Sequence, residues 1–175
     1  MAFAILRAEK LKTMGNIGGS LAHNYRTIDT PNANPSQTPN NFHSLKDSEA
    51  VKAAISERLP EKRRSDAVLC VEYMITASPE WQGWNDERQN EYFKQAVDWL
   101  EQRHGKHNVV ATSIHRDETT PHLIAYVVPL DQDTGKLNAK KFLGGKAKLA
   151  EMQSSFSDHV KNLGLKRGIE GSKAK

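Results

Sequence analysis

Ile114-His115-Arg116-Asp117-Glu118-Thr119-Thr120-Pro121-His122-Leu123-Ile124 sets two histidines and two carboxylates between two apolar runs. Val109, Val110, Ala111, Thr112 and Ile114 read as one strand, and residues 123–128 read as the next. The short polar link between them predicts a hairpin, with strands at about 108–115 and 122–129. His115 then ends one strand and His122 begins its neighbour, so two imidazoles approach across a sheet. Neutral imidazole ligates transition metals, and a carboxylate can complete the set. Two turn histidines on a surface are the bland alternative. Asp117 and Glu118 count against it by adding acid ligands, and Pro121 stiffens the approach to His122.

Working outward, residues 2–8 read as a short strand. Gly15-Asn16-Ile17-Gly18-Gly19 reads as a flexible loop, and a helix could start at Ser20 and run to Arg26. Residues 30–41, with Pro31, Pro35 and Pro39, leave no room for regular structure. Val51, Ala54, Ile55 and Leu59 fall at helical spacing before Pro60. Residues 66–76 form a long strand: Leu69, Val71, Tyr73 and Ile75 share one face, and Val68, Cys70, Glu72 and Met74 share the other. Residues 86–103 and 146–163 each carry a helical apolar stripe, ended by Gly105 and Gly164. This order predicts an α+β class, a central antiparallel or mixed β-sheet flanked by helices. One domain is expected over 1–165, with residues 166–175 as a polar basic tail.

The single cysteine, Cys70, excludes an internal disulfide framework and sits in an apolar run. A reducing, cytoplasmic setting fits. No run approaches membrane-spanning length. Neither G-x-G-x-x-G nor a Walker A sequence occurs, so a nucleotide cofactor is not expected. The net charge of +4 is uneven: residues 136–175 hold ten Lys and Arg against three acids, and the rest of the chain is net acidic. A polyanion is the expected partner.

The motif His115-Arg116-Asp117-Glu118-Thr119-Thr120-Pro121-His122 resembles the H-x-D-E-x-x-P-H motif of the Mob/Pre plasmid mobilisation relaxases, the MOBV class. The start of the chain agrees: Arg7, Lys10-Leu11-Lys12, Gly15-Asn16-Ile17-Gly18-Gly19 and His23-Asn24-Tyr25-Arg26 are similar to that family's opening segment. Residues 64–70 and Gly144-Gly145-Lys146 also look like family segments. The resemblance implies an HUH-type relaxase fold, a bacterial cytoplasmic setting, residues 1–165 as the relaxase catalytic domain and residues 166–175 as the start of a linker to a further C-terminal region. It implies metal-dependent, site- and strand-specific nicking and rejoining of transfer-origin DNA, single-stranded or hairpin, with a conjugative coupling protein as a further partner. It also implies that His23, rather than a tyrosine, is the nucleophile.

Imidazole attacks without first losing a proton and gives a phosphoramidate still energised for religation. Arg26, three residues on, is expected to neutralise phosphate charge. A metal held by His115, His122 and Glu118, with Glu72 as the other candidate acid, would polarise the scissile phosphate. Lys10, Lys12, Arg64, Lys146, Lys148, Lys166 and Arg167 are the candidate DNA contacts. One departure stands out: many family members read P-H-x-H, and here Ile124 takes the second histidine's place. A harder ion, Mn2+ or Mg2+, is therefore expected. Two alternatives stay open. One is an origin-binding module that does not cut. The other is a rolling-circle replication initiator with a tyrosine nucleophile, for which Tyr25 is the nearest rival.

Overall fold

The computed structural model describes residues 1–168. Its strands are β1 (Phe3–Leu11), β2 (Phe42–His43), β3 (Cys70–Ala77), β4 (Val109–His115), β5 (His122–Val127) and β6 (Lys166–Arg167). Its helices are α1 (Met14–Asn24), α2 (Ser48–Arg58), α3 (Arg88–His104), α4 (Ala139–Leu143) and α5 (Gly145–Val160). The strands form one sheet in the order β2-β4-β5-β3-β1-β6. All pairings are antiparallel except β1 with β6, so the sheet is mixed.

Period-2 alternation divides the sheet into two apolar faces. Val71, Tyr73 and Ile75 of β3, with Leu123, Ala125 and Val127 of β5, pack against α3 and α5 through Phe93, Leu100, Met152 and Phe156. Cys70 of β3, with Ile124 and Tyr126 of β5, packs on the other side with Ile17 and Leu21 of α1 and Val51 and Ile55 of α2. The hairpin register sets His115 directly opposite His122, and the β3–β5 register sets Glu72 opposite Tyr126. Glu72, His122, Ile124 and Tyr126 therefore occur on the α1–α2 face of adjacent strands.

The structure revises three sequence readings. Gly15–Gly19 is not a loop but the body of α1, whose N-terminus is capped by the Thr13 hydroxyl accepting from the Asn16 amide at 2.9 Å. Each helical glycine costs about 1 kcal/mol relative to alanine. Full burial of Ile17 and Leu21 offsets that by about 1.5–3 kcal/mol each. The long strand begins at Cys70, so Leu69 falls in with Leu11 on the α1–α2 side rather than with Val71. Lys166 and Arg167 are paired alongside Phe3 and Ala4 in the sheet. The remainder of the expected tail from residue 169 lies outside the described residues.

Leu21 anchors α1, so Leu21→Ala should destabilise the fold by about 2–5 kcal/mol. A lower urea midpoint at unchanged m-value is the expected result in equilibrium denaturation.

Candidate active site

Helix α1 ends in a backbone arrangement that its sequence does not advertise. The Thr27 amide donates to the Ala22 carbonyl at 2.9 Å and the Arg26 amide to the His23 carbonyl at 3.3 Å, which is the Schellman pattern. Arg26 takes the left-handed position at φ 57, where glycine is usual, and no other described non-glycine residue has positive φ. Its side chain accounts for the choice. Nε and Nη2 clamp the Asp117 carboxylate at 2.8 and 2.7 Å, Nη2 also reaches Glu118 at 3.2 Å, and Nη1 donates to the His23 carbonyl at 3.0 Å. Desolvation opposes ionisation of Asp117. Hydrogen bonds from Arg26, Thr38 and Asn41 outweigh it and hold that carboxyl well below the usual carboxylate range. The expected phosphate-neutralising cation is thus engaged within the protein, and it ties the end of α1 to the hairpin link.

The two motif histidines meet as the register requires, with His115 Nδ1 and His122 Nε2 2.9 Å apart. Their outer nitrogens settle the tautomers. His115 Nε2 faces the Asn24 carbonyl at 3.0 Å and His122 Nδ1 faces the Thr120 carbonyl at 3.3 Å. A carbonyl only accepts, so each outer nitrogen carries the hydrogen and each inner one presents a lone pair. Glu118 adds an oxygen 3.2 Å from His122 Nε2. Ligand atoms of His115, Glu118 and His122 all lie within 4.8 Å of one another. Three electron pairs facing one another suit a bound cation, and two imidazoles with one carboxylate fit a divalent ion. Burial, then the neighbouring His122 and Arg26, push His115 down to about 3, which keeps it in the neutral, ligating form.

Glu72 does not join that group. It accepts from the Ser20 hydroxyl, and Ser20 Oγ lies 2.8 Å from the Tyr126 hydroxyl. Burial raises the Glu72 carboxyl; Ser20 and the nearby His23 work against the rise. His23 is exposed on the last turn of α1. It shares a cleft of about 710 Å³ with Glu72, His115, Glu118, His122 and Ile124. Ile124, at the expected third-histidine position, thus borders the same cleft, where His115, Glu118 and His122 together could hold a metal ion.

Tyr25 points elsewhere. Its hydroxyl donates to the Leu45 carbonyl at 2.8 Å and its ring stacks on His43 at 4.2 Å. The other three tyrosines, Tyr73, Tyr92 and Tyr126, are fully or almost fully buried. The candidate DNA contacts divide. Lys10 borders the cleft, and Lys12 is exposed just beyond β1. Arg64 pairs with Asp66 in the loop before β3. Lys146 and Lys148 lie on α5, which covers the opposite face of the sheet. Lys166 is exposed on β6, and Arg167 donates to the Ala150 carbonyl of α5 at 3.4 Å. Sequence reading missed Ser20, Asn24, Thr38 and Tyr126. Two of these left a signal: Ser20 stands three residues before His23 on one helix, and Tyr126 four after His122 on one strand.

A family model described as plasmid recombination enzyme, Mob_Pre, matches residues 1–175. The chain belongs to this family. A 65 kDa protein of Zymomonas mobilis subsp. mobilis is 36% identical over 98% of this chain and 31% of its own length. Plasmid recombination enzyme type 1 of Staphylococcus aureus is 30% identical over 96% of the chain and 45% of its own length. The chain thus spans less than half the length of these Mob_Pre relatives. Among solved structures it is similar to the MobM relaxase domain bound to plasmid pMV158 oriT DNA in a Mn-bound crystal structure at pH 5.5. That match has a TM-score of 0.82 at 31% identity and covers 99% of this chain and 94% of that one. The same domain bound to a 26-nucleotide oriT DNA matches with a TM-score of 0.70 at 29% identity. The expected HUH-type relaxase architecture is therefore the one observed.

His115 and buried His104 are both held down to about 3, His104 by burial and then the charge of Arg103. In the unfolded chain each returns to about 6.5. Unfolding then takes up protons, and stability of the metal-free protein should fall as pH drops from about 6.5 toward 3. Urea midpoints measured across that range check this; a flat profile would contradict it. His115→Ala and His122→Ala should each abolish Mn2+ binding in titration calorimetry. Ile124→His, which adds an imidazole on the His122 face, should tighten binding and favour Zn2+.

Proposed function

We propose that this chain is the DNA-processing domain of a plasmid mobilisation relaxase. It nicks one strand of transfer-origin DNA at a specific site, stays joined to the 5′ end through a phosphohistidine at His23, and rejoins the strand in reverse. The observation that carries the reading is the convergence of His115, Glu118 and His122 in one cleft with exposed His23. The Mn-bound, oriT-bound state of the similar MobM domain supports Mn2+ or Mg2+ as cofactor and origin DNA as substrate.

His23 attacks with a ring lone pair while the P–O3′ bond breaks, and the 3′ oxygen leaves to become a hydroxyl. His115, His122 and Glu118 would hold a divalent ion, which when bound would supply Lewis-acid polarisation of the phosphate. Asn24, through its backbone carbonyl, keeps His115 in the tautomer that presents its lone pair. Arg26 holds the His23 backbone and the Glu118 carboxylate on one guanidinium, which sets nucleophile and metal ligand in a common frame. The tyrosine-initiator reading fares worse, because Tyr25 is engaged and the remaining tyrosines are buried. The non-cutting reading relied on Ile124 as a lost ligand; the approach of Glu118 to both motif histidines supports a three-ligand site without a third histidine.

Among the described residues no helix is long and apolar enough to cross a membrane. A coupling protein that receives the nicked strand, and the bacterial cytoplasm as the setting, complete the proposal.

Nicking of a supercoiled plasmid carrying the cognate origin, with and without Mn2+, tests the whole reading. His23→Ala should lose nicking and the acid-labile covalent adduct, and keep DNA affinity near wild type. Tyr25→Phe should still nick. Cleavage by His23→Ala would sink the assignment. Charge placement gives a second outcome. Replacing Lys10 and Lys12 by alanine should flatten the log–log salt dependence of single-strand binding by about 0.7 for each phosphate left without its cation. Replacing Lys146 and Lys148, across the sheet, should leave that slope nearer wild type.

A further inference from the structure

We propose that Glu72 is the positioning residue for His23: it accepts the N–H of the imidazole whose other nitrogen attacks phosphorus. The proposal rests on the reading of His23 as nucleophile, and it replaces the sequence expectation of Glu72 as a metal ligand.

The placement begins with register. Glu72 is the one charged residue on the α1–α2 face of β3, opposite Tyr126 on β5 and Glu9 on β1. A carboxylate half-buried beside Tyr126 and Ile124 is costly unless something there uses it. Ser20 donates to Oε1, Tyr126 lies behind Ser20 at 2.8 Å, and His23 lines the same cleft as the carboxyl. Ser20 and His23 are three residues apart on α1 and so share a helix face.

The direction of the chain follows from chemistry. Burial keeps the Tyr126 hydroxyl protonated, so Tyr126 donates to Ser20 and Ser20 donates to Glu72. One carboxylate oxygen is thereby committed to Ser20. The other is available to His23, and as an acceptor it selects the tautomer whose hydrogen points to Glu72 and whose lone pair points away.

When that lone pair forms the N–P bond, the P–O3′ bond breaks and the ring acquires positive charge. The 3′ oxygen takes a proton from water. The ring N–H facing Glu72 becomes more acidic, and the carboxylate stabilises or accepts that proton. In rejoining, the 3′ hydroxyl gives its proton to water as its oxygen displaces nitrogen from phosphorus, and the proton held by Glu72 returns to the ring. Glu72 never touches DNA or metal and acts wholly through His23.

Glu72→Gln tests this in the full chain. The amide oxygen would stay with Ser20 and the amide NH2 would face His23, a donor where an acceptor is needed. Nicking and rejoining should both fall by on the order of 10²-fold. Affinity for uncleaved origin oligonucleotide and for Mn2+ should stay within about twofold, since the side chain touches neither phosphate nor metal. Long-range 15N spectra of the metal-free protein should show His23 moving from one neutral tautomer toward the other. Ser20→Ala should give a smaller loss of the same kind. Wild-type nicking with an unchanged tautomer in Glu72→Gln would overturn the proposal, and so would loss of Mn2+ affinity, which would make Glu72 a ligand. Cleavage by His23→Ala would instead remove the nucleophile reading on which the proposal stands.

Discussion

The Arg26–Asp117 ion pair joins two segments that are 91 residues apart in sequence and supply different halves of the candidate site. Asp117 is fully buried and Arg26 nearly so, and burying both charges is costly. Fork-to-fork geometry and a further hydrogen bond from Thr38 meet that cost. The left-handed backbone at Arg26 adds roughly 1–2 kcal/mol of strain. A glycine would close the same helix end without strain, yet it could not carry the guanidinium. The Arg26 pairing settles where α1 stops, where the His23 and Asn24 carbonyls lie, and where Glu118 is held relative to His122.

The sheet performs a division of labour that follows from its alternation. One face is given mainly to apolar packing under α3 and α5. The other packs Ile17 and Leu21 near its middle and opens at one end into the cleft. The proline-bearing loop of residues 30–41 has a purpose in this arrangement. The Asn34 amide donates to the Asp117 carbonyl at 2.6 Å, and the Asn41 side chain accepts from the Arg116 amide at 2.6 Å. This irregular segment therefore braces the hairpin link against its own backbone, as a strand could not.

Electrostatics separates the two faces as well. Near the cleft, cation and acid are matched within the protein: Arg26 with Asp117 and Glu118, and Glu72 with its hydroxyl network. The lysines of α5 lie across the sheet, and one of them, Lys148, answers an acid of its own, Glu151 at 3.5 Å. A run of positive charge in the sequence therefore says little about which surface meets a polyanion. Spatial distribution relative to the cleft decides that.

Much of this was legible in the chain. Alternation and helical spacing located the hairpin, the long helices and both faces of β3, because side-chain direction repeats with fixed periods of 2 and 3.6 residues. The motif histidines could be seen to meet, since antiparallel pairing across a short link leaves them one register. The glycine-rich start misled, because propensity is local and weak while burial of Ile17 and Leu21 comes only from the assembled core. The lengths of long strands and the pairing of Lys166 and Arg167 depend on neighbours far away in sequence. So do the partners of charged groups: Arg26 finds Asp117, and Glu72 finds Ser20 and Tyr126, through contacts spanning 50 residues or more. Sequence determined which chemical groups this protein has and on which face of its own element each lies. Tertiary structure alone decided which of them meet, because a buried charge takes whichever partner the packed elements bring within hydrogen-bonding distance.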